Sequence, residues 1–104
     1  MGQEQRRLQL HDIFTAIPGV VKVYYQPPEN IRMVYPCIVY TRSNGITDFA
    51  NNKPYNFTMR YAVTIIDTDP DSAIVEEVAK LPMCTFDRAY TADNLYHSVF
   101  TIFY

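Results

Sequence analysis

Three aspartates at alternate positions, Asp67, Asp69 and Asp71 in "DTDPDS", have the spacing with which a calcium-binding loop begins. In such a loop, oxygens from alternate side chains converge on one cation. The rest of the pattern fails, because Ser72 stands where the turn glycine belongs and Val78 where the bidentate Glu should be. A helix start accounts for the segment better: Asp69 as N-cap, Pro70 at the first helical position, Asp71 beside the positive end of the helix. The other reactive side chains are few. His11 and His97 are the only histidines, and no GxSxG or similar pattern supplies either with a nucleophile. His11 falls on the polar side of a first helix, and His97 reads as a hydrogen-bonded structural side chain. Three glycines (Gly2, Gly19, Gly45) cannot build a phosphate-cradling loop. Cys37 and Cys84 sit beside apolar residues and read as reduced core thiols, since two cysteines make no disulfide framework. The expectation is a protein with no catalytic residue, no metal and no cofactor.

One polar cluster remains, in "FDRAYTADNLYH" at 86–97. Asp87, Arg88, Asp93, Asn94 and His97 stand among Phe86, Tyr90, Leu95 and Tyr96. Polar groups packed near apolar ones need partners. Two arrangements satisfy them: an internal network that holds the turn, or an Arg88–Asp93 pair across a subunit boundary, where a planar guanidinium recognises a carboxylate well.

The elements that must position these residues follow from periodicity. Leu10, Ile13, Phe14 and Ile17 repeat at i, i+3, i+4, i+7, one face of a helix over 4–17 that Pro18-Gly19 stops. "VVKVYYQ" (20–26) alternates Val21, Val23 and Tyr25 against Lys22, Tyr24 and Gln26, and "CIVYTR" (37–42) is a second strand. The third, "YNFTMRYAVTIID" (55–67), points Phe57, Met59, Tyr61, Val63 and Ile65 one way. A second helix carries Ile74, Val78 and Leu81 and ends at Pro82. "CTFDRAY" (84–90), a "TADN" turn and "YHSVFTIFY" (96–104) complete the chain. The last strand is apolar on both faces: Tyr96, Phe100, Ile102 and Tyr104 on one, Val99 and Phe103 on the other. Both faces of the sheet therefore need cover. The order α-β-β-β-α-β-β predicts a single α+β domain over 1–104, a mainly antiparallel sheet of four to five strands with two helices on one face. Between the second and third strands, residues 43–56 exceed a hairpin loop. They form either a long protruding loop or a hairpin whose arms continue both strands. Within that stretch Ile46, Phe49 and Tyr55 are the candidate contacts with a partner.

Composition bounds the function. The chain has 104 residues, net charge −2 and only 19% charged residues, with nine Tyr and six Phe. No basic stripe marks a nucleic-acid surface, and no run approaches the ~20 apolar residues of a membrane span. The first residues lack a signal peptide's apolar stretch, and Arg6 spoils a myristoylation signal. The expectation is a soluble protein made in the cytosol. Few charges and many tyrosines suit a surface that other chains cover, and equally suit tyrosines half-exposed on a sheet.

"QPPENIRMVYPCIVYTR", "NFTMRYAVTIIDTDPDS" and "LPMCTFDRAYTADNLYHSVF", in this order over about residues 20–104, resemble the small tail completion (tail terminator) proteins of long-tailed bacteriophages and related prophages. The resemblance implies a non-enzymatic virion protein, assembled in the host cytoplasm, that forms a ring, commonly a hexamer, on the head-proximal end of the tail tube. The ring ends tube polymerisation and offers a surface to the head–tail connector. Its implied partners are therefore other copies of itself, the major tail tube protein and the connector or stopper protein. No membrane or sequence-specific nucleic acid is among them, although DNA would pass through the ring. A connector or stopper ring of the phage neck is the neighbouring alternative, and a small ligand-binding α+β domain a more distant one. The segment 43–56 and "DRAYTADN" are the candidate subunit or tube interfaces: Ile46, Phe49, Tyr55, Asp87, Arg88, Asp93 and Asn94.

Overall fold

The computed structural model describes residues 3–47 and 58–104, with side chains over 5–43 and 59–104. Seven elements follow in the predicted order: α1 (Gln3–Thr15), β1 (Lys22–Tyr25), β2 (Cys37–Thr47), β3 (Thr58–Asp67), α2 (Ala73–Ala79), β4 (Cys84–Ala92) and β5 (Leu95–Phe103). The five strands form one sheet in the order β1-β2-β3-β5-β4. Only β1 and β2 run parallel, and every other neighbouring pair is antiparallel. The fold is α+β, as the element order predicts.

The predicted alternation of β3 is the backbone of the core. Met59, Tyr61, Val63 and Ile65 are buried on one sheet face, in a cluster with Ile38, Tyr40, Phe100 and Ile102. Leu10, Phe14 and Ile17 of the first helical segment close that face, together with Ile74 and Val78 of α2. Both helices thus cover the same side. Each fully buried large apolar side chain here contributes about 1.5–3 kcal/mol relative to exposure, which outweighs the weak amphipathicity of α1's N-terminal half. Gly19 takes φ +95° where the chain leaves α1. A Cβ there would make only ordinary contact with Ile74, at 3.6 Å, so backbone conformation and not space favours glycine.

The opposite face has a small core of its own. Tyr24, Cys37 and Ile66 are buried together, with Met33, Val39 and Leu95 against them. The crossover that parallel β1 and β2 require supplies the cover: its Val34 N–H donates to the Tyr24 hydroxyl at 3.1 Å. The sequence places Tyr24 on the polar side of its strand, yet it is buried, while Val21 on the apolar side is 56% exposed. Val23 and Tyr25 face the main core as predicted, and the crossover over residues 27–36, invisible to periodicity, buries Tyr24 on the other face.

Two further boundaries differ from expectation. β2 continues to Thr47, and Ile46 pairs with Met59 and Thr47 with Thr58, after a register shift beyond Arg42. The extended hairpin is therefore correct for residues 43–47, where the loop reading is not; residues 48–57, including Phe49, Tyr55 and Phe57, lie outside the described set. The helix cap is Ser72, not Asp69: its Oγ accepts from Ile74 N–H at 3.3 Å, and α2 begins at Ala73. Asp67 and Asp69 instead accept from the N–H groups two residues on, Asp69 at 3.1 Å and Asp71 at 2.9 Å. Successive Asx turns take the chain from β3 to the helix.

Candidate assembly surface

Three regions carry the groups that could meet another molecule. The first lies under α1. Tyr40 is fully buried in the core, and its ring meets Phe14 edge-on at 5.2 Å, Tyr25 at 4.9 Å and Tyr61 at 5.9 Å. Its hydroxyl lies 2.8 Å from His11 Nδ1 and 3.5 Å from Arg7 Nη1. Arg7 can only donate, so the Tyr40 oxygen accepts from it and turns its own proton to a neutral His11. Arg7 also lies over the Tyr25 ring, 4.2 Å from its centroid. Burial foremost, then the Arg7 charge, pushes the His11 pKa below 6.5, with Asp12 opposing. His11 is thus half-buried and engaged, which corrects its assignment to the polar side of the helix. Tyr61 is buried with a hydroxyl that has no hydrogen-bond partner among the described residues. Burial raises its pKa, and the positive charge of nearby Arg42 opposes this.

The second region is the half of the sheet that neither helix reaches. On β3 and β5, opposite the core, Ala62 pairs with Thr101 and Thr64 with Val99. Ala62, Thr64 and Thr101 are half-buried, and Val99 sinks between them to 5% exposure. These four side chains are small and uncharged, and Arg60, paired with Phe103, follows them on the same face.

The third is β4, at the edge of the sheet. Seven of its nine positions are exposed, a pattern unlike that of any central strand. Phe86 is 59% exposed and packs edge-on against Phe100 at 5.4 Å. Tyr90, 44% exposed, stacks on His97 at 4.7 Å, and His97 Nδ1 lies 3.2 Å from the Leu95 carbonyl, the structural role expected of it. The predicted turn is a two-residue hairpin, with φ +55° at Asp93 and +63° at Asn94, the mirror-image turn that suits strand twist.

The predicted interface residues are therefore dispersed. Asp87 and Arg88 lie mid-β4 and bond each other, Arg88 Nη1 donating to Asp87 Oδ2 at 3.0 Å. Asp93 and Asn94 form the hairpin tip, so within the chain Arg88 pairs with Asp87 and not with the turn. Ile46 lies at the far end of β2, and Phe49 and Tyr55 fall outside the described residues. The alternation of β3 already places Ala62 and Thr64 opposite the core, and the two-faced last strand asks for cover there; what the sequence does not show is that Thr101 and Val99 stand beside them. Cys37 and Cys84 are both free. They belong to opposite faces, and burial pushes Cys37 up to about 11 and Cys84 upward.

Among the described residues, no three His, Cys, Asp or Glu side chains group so as to hold a metal ion, and no helix is long and apolar enough to cross a membrane. Two open surface clefts, of about 250 and 220 Å³, are lined by His11, Lys22 and neighbours of β1, and by Pro70, Tyr96 and neighbours of β4. No family model, curated protein or solved structure matches the chain.

Proposed function

We propose that the protein is a structural subunit of a homo-oligomeric ring, and that the ring is the tail completion ring of a long-tailed phage. The observation that carries the assembly reading is the uncharged strip of Ala62, Thr64, Val99 and Thr101 on the face that both helices leave alone. A sheet with one face packed by helices and an uncharged strip of small side chains on the other is suited to a second layer from another chain. A ring is a closed head-to-tail assembly in which two different patches of each subunit meet, so closure leaves no patch free to propagate a filament. The phage assignment rests on the sequence resemblance. In that setting the partners are further copies of the chain, the tail tube protein and the connector, and the protein acts in the virion by contact and not by catalysis.

The test is negative-stain imaging of the purified protein, alone and with tail tubes, alongside complementation of a tail-completion mutant. Rings on tube ends and restored tail length are expected. Rings that attach to the head connector but never to tubes would favour the connector alternative. A protein that forms no ring with tubes present and leaves tail length uncorrected would overturn the proposal.

A further inference from the structure

We infer that β4 is a self-complementary edge, through which two copies of the chain pair antiparallel about a dyad between Asp87 and Arg88. The inference goes beyond the ring reading and does not depend on it. It starts from where the free backbone groups of β4 point. Phe103 N–H donates to the Met83 carbonyl at 3.1 Å, so Met83 faces Phe103 as a hydrogen-bonded pair. By alternation Thr85 does so with Thr101, and Cys84 and Phe86 turn their N–H and C=O groups to the open edge. From the other end, the two-residue turn makes Ala92 and Leu95 a hydrogen-bonded pair. Tyr90 and Arg88 then bond β5, and Ala89 and Thr91 face outward. The two phases disagree by one residue. The register shift between Phe86 and Arg88 absorbs the difference as a bulge at Asp87.

That bulge decides which strand can add. In an unbroken strand, a dyad between two adjacent residues would set outward groups against inward ones. Here the same dyad sets Cys84 opposite Thr91 and Phe86 opposite Ala89 of the second copy, and all four residues face outward. Side chains agree as well. Cys84, Phe86, Ala89 and Thr91 lie on the helix-covered side of the sheet, opposite Ile102, Phe100, Ser98 and Tyr96. Thr85 and Tyr90 lie on the other side and would face each other. The exposed Phe86 ring meets a small Ala89, and Thr85 meets Tyr90.

Charge completes the match. The bulge brings Asp87 and Arg88 to one side of the strand, where they bond at 3.0 Å. Across the dyad each meets its opposite in the second copy, so the two pairs form a four-charge ring of alternating sign. A bulge and charged side chains are the usual means by which an edge refuses foreign strands. On β4 they admit one partner, a strand with the same bulge and the same charge order.

Sedimentation equilibrium tests this directly. The chain should sediment at twice its 12.1 kDa monomer mass, as a dimer or within a larger even assembly. Ala89→Pro removes an N–H that points away from β5, so the fold is retained and the dimer is lost. Arg88→Asp should also give monomer, and the double exchange Asp87→Arg with Arg88→Asp should restore the dimer. Thr91→Cys places a thiol opposite Cys84 of the second copy, at the ~5.5 Å Cα separation of a hydrogen-bonded pair, within disulfide reach. Mild oxidation should then give a covalent dimer on a non-reducing gel. A wild-type monomer at millimolar concentration would overturn the inference, as would a dimer indifferent to both Ala89→Pro and Arg88→Asp. Rings that form while Thr91→Cys stays uncrosslinked would overturn it and leave the ring reading standing.

Discussion

At the scale of single residues, the contact most open to experiment is that of His11 with Tyr40. The hydrogen bond needs neutral His11, because a protonated imidazole would present a second cationic donor, beside Arg7, to one phenol oxygen. The folded pKa of His11 is lowered, chiefly by burial. The unfolded chain therefore binds the proton more readily, and stability rises with pH in this range. The contribution is whole above the unfolded value of 6.5 and is lost as pH falls from there through the folded pKa. Urea midpoints at pH 7.5 and 5 should differ in the wild type, and less in His11→Gln; equal pH dependence in both would refute this role. Tyr61 gives the opposite kind of case. Its buried hydroxyl has no partner among the described residues, so Tyr61→Phe removes a desolvated polar group without breaking a bond to any of them. The change should leave stability within about 0.5 kcal/mol or raise it, whereas Tyr61→Ala should cost about 3–5 kcal/mol through the cavity it leaves. A loss above 1 kcal/mol for the Phe variant, by chemical denaturation, would mean that the hydroxyl is bonded.

Among the elements, the strands were readable because burial has a period of two. The facing of Met59, Tyr61, Val63 and Ile65 follows from their alternation, and the two-faced β5 follows from Val99, Phe100 and Ile102 being apolar in near succession. What period cannot carry is a change of phase. The bulge at Asp87 puts two adjacent charged residues on one side of β4, where strict alternation would separate them. The crossover above Tyr24 buries a tyrosine that its own strand pattern exposes. Helix starts fail for another reason. Asp69, Asp71 and Ser72 are all competent caps, and only the path of the chain out of β3 decides that the first serves a turn and the last the helix. Ser72→Ala should accordingly destabilise the protein by about 1 kcal/mol, at the middle of the range for lost N-caps. Thermal melts should place Ser72→Ala below wild type and show far-UV helix signal reduced at equal temperature near the transition. No change in either would return the cap to Asp69.

For the molecule as a whole, the asymmetry of the sheet is the organising fact: both helices pack one face, and the crossover covers only part of the other, over Tyr24, Cys37 and Ile66. The strip over β3 and β5 survives exposure in a free subunit because it is built from Ala and Thr, whose small apolar area gives little drive to aggregate. For the same reason it contributes little to monomer stability, so the strip can be altered without unfolding the chain. Thr64 stands at its centre, half-buried and paired with Val99. Thr64→Glu exchanges a strand-favouring residue for a less favourable one, a cost within the ~1 kcal/mol span of strand propensities. In the monomer the carboxylate stays in water. Under a second protein layer it would be desolvated without a partner, at a cost of several kcal/mol, and that exceeds what most single contacts contribute. The variant should melt within a few degrees of wild type, form no rings by negative stain and fail to restore tail length in complementation. Thr64→Ser, which keeps the strip uncharged, should behave as wild type in all three assays. If Thr64→Glu assembles normally, the strip faces solvent in the working assembly, and ring contacts must be sought on the edges of the sheet and on α1.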